Sequence, residues 1–166
     1  MSPELPQRKH PPHFAPIPRH NTPVVLFVTM AIQPRVNALA NDTFHEAFKN
    51  ALKEADAWRV FLYVIMPDHI HAFIVPRTVS PFPIGNWAKF LKRKIAQNID
   101  AAAHGGRVSS PAAGWRWQLG CWDTQIRSRE HLDEKASYVR MNPVRAGLCA
   151  TPEEWKWQGE DEWIRW

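Results

Sequence analysis

The chain has 166 residues, which suits one domain built on one core. Hydrophobic residues make up 45% and charged residues 22%, and the longest apolar runs, Val24–Val28 and Val60–Met66, fall far short of the roughly 20 residues that span a bilayer, so no membrane partner is expected. A formal net charge of +5 favours a polyanionic partner, nucleic acid first. The opening residues are charged and proline-rich, with none of the apolar core of a secretory signal, so the expected location is the cytoplasm. Cys121 and Cys149 belong to no CxxC pair and read as two reduced thiols. Nine tryptophans are unusual for this length, and packing explains any one of them better than base stacking does.

Residues 1–21 are rich in Pro, His, Arg and Lys and lack periodicity, so they read as a basic arm, partly disordered, ahead of a single domain over 22–166. Arg8, Lys9 and Arg19 are either contacts to a phosphate backbone or charges on a solvated tail. Thr22–Ile32 is β-branched and apolar, as a buried strand is. Asn41-Asp42 supplies a helix N-cap, and Phe44, Phe48 and Leu52 follow at helical spacing to about Ala57. Trp58–Met66 and His69–Val75 read as two strands of a tight hairpin broken at Pro67-Asp68. Both faces of the hairpin are largely apolar, which suits central strands covered by helices on one side and by a ligand or partner on the other. Ile84–Ala102 is predicted helical and carries Lys89, Lys92, Arg93 and Lys94, a cluster that serves equally as a DNA contact or a solvated face. His104–Gly114 is a loop, Trp115–Ile126 a fourth strand, and Arg129–Met141 a helix halted before Asn142-Pro143. From Pro152 on, a Trp-rich tail is expected to pack back on the body. The order β-α-β-β-α-β plus an extra helix gives an α+β fold of ferredoxin-like pattern, an antiparallel sheet with helices on one face.

Two groups of residues carry chemistry. His69 and His71 are two apart on a strand, so their imidazoles share one face and suit a single metal ion, although a bare His-x-His often arises by chance. Tyr138 and Asn142 are four apart at the end of a helix, one turn from each other, with Tyr a candidate nucleophile and Asn an oxygen ligand. A lone Tyr on an amphipathic helix more often simply packs, and Tyr63 reads as core.

The stretch Tyr63-Val-Ile-Met-Pro-Asp-His-Ile-His-Ala-Phe-Ile-Val75 resembles the strand and Met-Pro-Asn-His-Val-His segment of the HUH single-tyrosine transposases. Tyr138-Val-Arg-Met-Asn-Pro-Val-Arg-Ala-Gly-Leu148 resembles the tyrosine segment of their REP-associated branch, and Trp117-Gln118, Trp122-Asp123 and Ile126-Arg127 are similar to the segment between them. The resemblance implies a ferredoxin-like sheet with a C-terminal catalytic tyrosine helix. It further implies Tyr138 as nucleophile and His69, His71 and Asn142 as ligands of Mg²⁺ or Mn²⁺. The activity implied is cutting and rejoining of single-stranded, hairpin-forming repeat DNA through a 5′-phosphotyrosine, in a bacterial, nucleoid-associated protein. The REP-associated branch favours a monomer over a homodimer. Arg140 and Arg145 flank the tyrosine motif, Arg145 in a structural or phosphate-binding role. Asp68 stands where the family usually has Asn, and Thr124 where many relatives have His. The alternative is a hairpin nucleic-acid-binding protein of the same fold that does not cut.

Overall fold

A computed structural model describes residues 13, 15–18, 23–104 and 114–161. Arg8, Lys9 and Arg19 lie outside the described residues. The elements in chain order are β1 (Val25–Gln33), α1 (Asp42–Glu54), β2 (Trp58–Ile65), β3 (His69–Pro76), α2 (Ile84–His104), β4 (Arg116–Trp117), β5 (Trp122–Ile126), α3 (Arg129–Arg140), α4 (Asn142–Arg145) and β6 (Gln158–Glu160). The strands form one antiparallel sheet in the order β4-β1-β3-β2-β6, with β5 also paired to β1. This is the ferredoxin-like α+β pattern expected from the sequence.

Strand alternation divides the molecule into two cores. Leu26, Val28, Met30 and Ile32 of β1 and Ile70, Ala72 and Ile74 of β3 face α1 and α2, where Phe44, Phe48, Trp87, Leu91 and Ile95 complete the larger core. Val25 of β1 and Phe73 and Val75 of β3 point the other way. They meet Leu132, Ala136 and Val139, which form the i, i+4, i+7 stripe of α3. The second face is therefore partly roofed by α3, where an open face was expected. The apolar stripe of this helix has to be buried somewhere, and that face is where its connection from β5 delivers it.

β2 sends Trp58 and Val60, then Tyr63 and Ile65, to the larger core, a spacing that a strict period of two does not allow. A bulge resolves the conflict: Val60 pairs with Ile74 and Leu62 with Phe73, leaving Phe61 as the extra residue. α1 begins as expected, with Asn41 Oδ1 accepting from the Phe44 amide at 2.9 Å, but ends at Glu54, short of Ala57. The Ala55 carbonyl there accepts from the Trp87 indole at 2.8 Å.

The single strand expected over Trp115–Ile126 is two short ones, β4 and β5. Gly120 between them takes a φ of 66°, open to glycine at little cost. The Gln118 and Gly120 carbonyls turn to the Lys92 ammonium, the former at 2.8 Å. The tail does pack back, and adds a strand that the sequence did not announce. β6 pairs with the edge of β2, and the Trp155 indole donates to the Ile65 carbonyl at 3.0 Å.

Gly159 in β6 lies against the Tyr63 ring, so close that an added Cβ would stand 2.4 Å from Tyr63 Cε1. Gly159→Ala is expected to cost about 1–3 kcal/mol in urea denaturation by overpacking this contact. Burial pushes the Tyr63 phenol up to about 12. A raised pKa means that its contribution to stability is whole below the unfolded value of about 10 and is lost as pH rises through the folded one. The chain has two tyrosines, so a Tyr138→Phe protein should show one phenolate transition in the ultraviolet near pH 12, with stability declining over the same window.

Candidate metal and tyrosine site

The β2–β3 turn is fastened before any side chain acts. The Met66 amide donates to the His69 carbonyl at 2.8 Å, closing a two-residue turn over Pro67 and Asp68. The Pro67 carbonyl accepts from the Ala38 and Leu39 amides at 2.9 and 2.8 Å, and the Asp68 carbonyl from the Ile32 amide at 3.0 Å. The start of β3, and with it His69, is held by backbone bonds to the β1–α1 connection.

On the α3 side of the sheet, His69 and His71 present their Nε2 atoms to each other at 3.1 Å. Two nitrogen donors on one cation at about 2.0–2.1 Å and about 90–110° apart stand roughly 2.9–3.4 Å from each other, so the pair fits one divalent ion. Each Nδ1 is already engaged. That of His69 lies 2.6 Å from Asp68 Oδ1, and that of His71 lies 2.8 Å from Thr29 Oγ1, its cross-strand neighbour in β1. Such bonds fix the tautomer and leave Nε2 with its lone pair. Burial, and then the charge of His69, push His71 down to about 3, which keeps this imidazole neutral. Phe27 stacks on the His71 ring at 5.2 Å.

Asp68 does more than form the turn. Its Oδ2 accepts from Arg35 at 2.9 Å, so the extra negative charge has a cation beside it. Burial pulls the carboxyl up, but the hydrogen bonds from His69 and Arg35 outweigh it and hold the group below its usual range.

Tyr138 and Asn142 sit where α3 gives way to α4, and Arg145 ties them together. Its guanidinium donates to the Tyr138 carbonyl and, at 2.6 Å, to Asn142 Oδ1, with Cζ 4.0 Å from the centre of the Tyr138 ring. Gly147, at a φ of 70°, ends the short helix and returns its amide to the Val144 carbonyl at 2.9 Å. Tyr138 is 56% exposed, so its ring is open to solvent. Lys135 links the two halves: its Nζ is 5.0 Å from the Phe27 ring and 5.8 Å from the Tyr138 ring. Lys135, Thr29 and Arg35 were not among the candidates legible in the sequence. Only Lys135 left a signal there, as a basic residue three positions before the tyrosine. Asn142 is the predicted ligand that the contacts do not join to the histidines, because its amide oxygen is turned to Arg145.

The predicted basic residues scatter. Lys89 and Arg93 are exposed on α2, which lies across the sheet from the histidines, and Lys94 pairs with Glu54 at 2.5 Å. Arg140 pairs with Glu160 at 2.7 Å. Lys92 is no part of a basic surface: it is 7% exposed and spends its ammonium on the carbonyls of the β4–β5 turn. At the end of β1, one residue before Arg35, Gln33, Pro34, Gly114, Trp115 and Arg116 line a cleft of 410 Å³. A second donor group, His13, Cys121 and Asp123, brings nitrogen, sulfur and oxygen atoms within 4.8 Å of one another, an arrangement able to hold a metal ion. Among the described residues, no helix is long and apolar enough to cross a membrane.

In architecture the chain matches the solved structure of a REP-associated tyrosine transposase bound to a REP hairpin, with a TM-score of 0.64 over 87% of this chain and 82% of that one at 16% identity. In sequence it is similar to a Haemophilus influenzae protein named "Putative REP-associated tyrosine transposase", 26% identical over 136 residues, which are 78% of this chain and 75% of that protein. No family model matches. The resemblance carried by the two motifs is borne out.

Lys92→Met should lower stability by about 1–3 kcal/mol in urea denaturation, since it strands two carbonyls in a nearly closed site.

Proposed function

We propose that the protein is a metal-dependent transesterase that cuts and rejoins single-stranded, hairpin-forming DNA through Tyr138. The observation that carries this reading is the His69–His71 pair, with Nε2 atoms 3.1 Å apart and both Nδ1 atoms tied back. His69 and His71 would hold Mg²⁺ or Mn²⁺, and Asn142 would join them once its amide oxygen leaves Arg145. When bound, the ion supplies Lewis-acid polarisation of a phosphodiester.

The chain's own residues account for the rest. Tyr138 Oη attacks the phosphorus, the bond to the 3′-oxygen of the preceding nucleotide breaks, and a 5′-phosphotyrosyl bond forms. The phenolic proton passes to solvent, and the leaving oxygen takes one up as a 3′-hydroxyl. The bond energy is conserved in the new ester, so a 3′-hydroxyl attacking it restores the strand without ATP. Lys135 and Arg145, flanking the Tyr138 ring, offset the negative charge that gathers on the phosphoryl oxygens. The cleft at Trp115 and Arg116 offers an indole and a guanidinium to an unpaired base. The two similar proteins are named as REP-associated tyrosine transposases, and the solved one is bound to a REP hairpin, which supports hairpin DNA as the partner.

One observation favours a second reading, hairpin binding without cleavage: Asn142 is held by Arg145 rather than by the histidines. The two part in a single assay. Protein is incubated with Mn²⁺ and labelled single-stranded hairpins from repeats flanking its gene, and denaturing gels are scored for a covalent adduct. The expected adduct needs metal and disappears in Tyr138→Phe and in His69→Ala; tight binding with no adduct would give the second reading the lead. Thr29→Val, which frees His71 Nδ1, should weaken Mn²⁺ binding about 10–100-fold in calorimetry with the fold intact.

A further inference from the structure

Among the described residues, the N-terminal arm meets the sheet at β5. Asp123 and Gln125 of β5 point to the side of the sheet opposite the paired histidines, since their β1 partners are Val28 and Leu26, which face α1 and α2. Gln125 grips the arm backbone with both amide atoms: Oε1 accepts from the Ile17 amide at 2.9 Å, and Nε2 donates to the Ile17 carbonyl at 2.8 Å. Four residues earlier, the His13 imidazole reaches Asp123 Oδ1 through Nδ1. Gly85, in the first turn of α2, makes room for that ring, for an added Cβ would stand 3.4 Å from His13 Cδ2. Beneath lies the thiol of Cys121, 1% exposed.

The three donor atoms lie within 4.8 Å of one another, and a tetrahedral cation with nitrogen, sulfur and oxygen ligands sets such atoms roughly 3.3–3.8 Å apart. His13 Nδ1 and Asp123 Oδ1 are already in hydrogen-bond contact, and the ion would take the place of that bond. Imidazole, thiolate and carboxylate together suit a soft or borderline divalent ion rather than Mg²⁺. The geometry points to a second metal site, His13–Cys121–Asp123, that takes Zn²⁺ or a chemically similar ion and pins the N-terminal arm to the β5 edge. Binding replaces the thiol proton, which leaves to solvent, by a sulfur–metal bond. Lys92, whose ammonium is bonded to the Gly120 carbonyl next to Cys121, balances the anionic charge of thiolate and carboxylate. Three protein ligands leave one position for water, on the exposed side where His13 lies.

Co²⁺ tests this, because a thiolate ligand gives it a charge-transfer band in the near ultraviolet that imidazoles and carboxylates do not. The titration uses the full chain carrying His69→Ala and His71→Ala, so the outcome does not depend on the site proposed above for DNA cleavage. The band should saturate at one equivalent, yield to Zn²⁺, survive Cys149→Ser and vanish in Cys121→Ser. His13→Ala alters an exposed residue and so keeps the test open if the buried substitution misfolds; it should raise the Co²⁺ dissociation constant at least about tenfold. No band in the parent chain, a band that follows Cys149, or an affinity unchanged in both His13→Ala and Asp123→Asn would overturn the assignment.

Discussion

Ile70, Ala72 and Ile74 of β3 are fully buried against α1 and α2. Burying those three sends His69 and His71, the residues between and before them, to the opposite face. No other outcome is open to a strand with a period of two, and a slip of one residue would bury both imidazoles in the larger core and expose the aliphatic set. The pair of histidines is thus placed by apolar residues that never touch it. The same constraint reaches β1, whose Thr29 and Phe27 stand opposite His71 and Phe73 and so meet the imidazole from the side.

Around this pair both Nδ1 atoms and the Asp68 carboxylate are engaged by protein groups. A carboxylate beside two imidazoles could draw a proton to itself and disorder them. Here Asp68 is bonded by His69 on one oxygen and Arg35 on the other, so its charge orients the imidazole. Asp68 Oδ1 makes the hydrogen bond that an amide oxygen would accept, and Arg35 offsets the added charge. Arg145 does comparable work at the other half of the site, holding the helix break, the tyrosine ring and the Asn142 amide with one guanidinium.

Much of this was legible in the sequence, because it rests on short-range pattern. The strand periods, the Asn41 cap, the Pro67-Asp68 turn and the shared face of His69 and His71 each need only a few adjacent residues. The tyrosine motif carried the rest of the site by resemblance. What stayed hidden depends on contacts between distant segments. The Val60–Tyr63 spacing contains the bulge but reads as an ordinary apolar run. Gly120 splits the fourth strand only because Lys92, from another helix, takes the carbonyls on either side of the turn. That lysine sits among basic neighbours on α2, and nothing local separates it from them; its burial comes from β4 and β5. Lys135 and Arg35 gain meaning only from the rings and the carboxylate they meet across the fold.

β6 is three residues long, and it covers an edge that would otherwise be the most adhesive line on the molecule. β2 is apolar on both faces, and its outer ladder would present bare amides and carbonyls to any extended chain. One bond that fastens this cover joins Trp155 to Ile65, ninety residues apart. During synthesis the hairpin of β2 and β3 therefore emerges long before its cover. In that interval the exposed edge can template pairing with a second chain, a hazard that grows with expression rate and concentration. Truncation upstream of Trp155 would make the interval permanent, turning a well-packed sheet into a self-associating one.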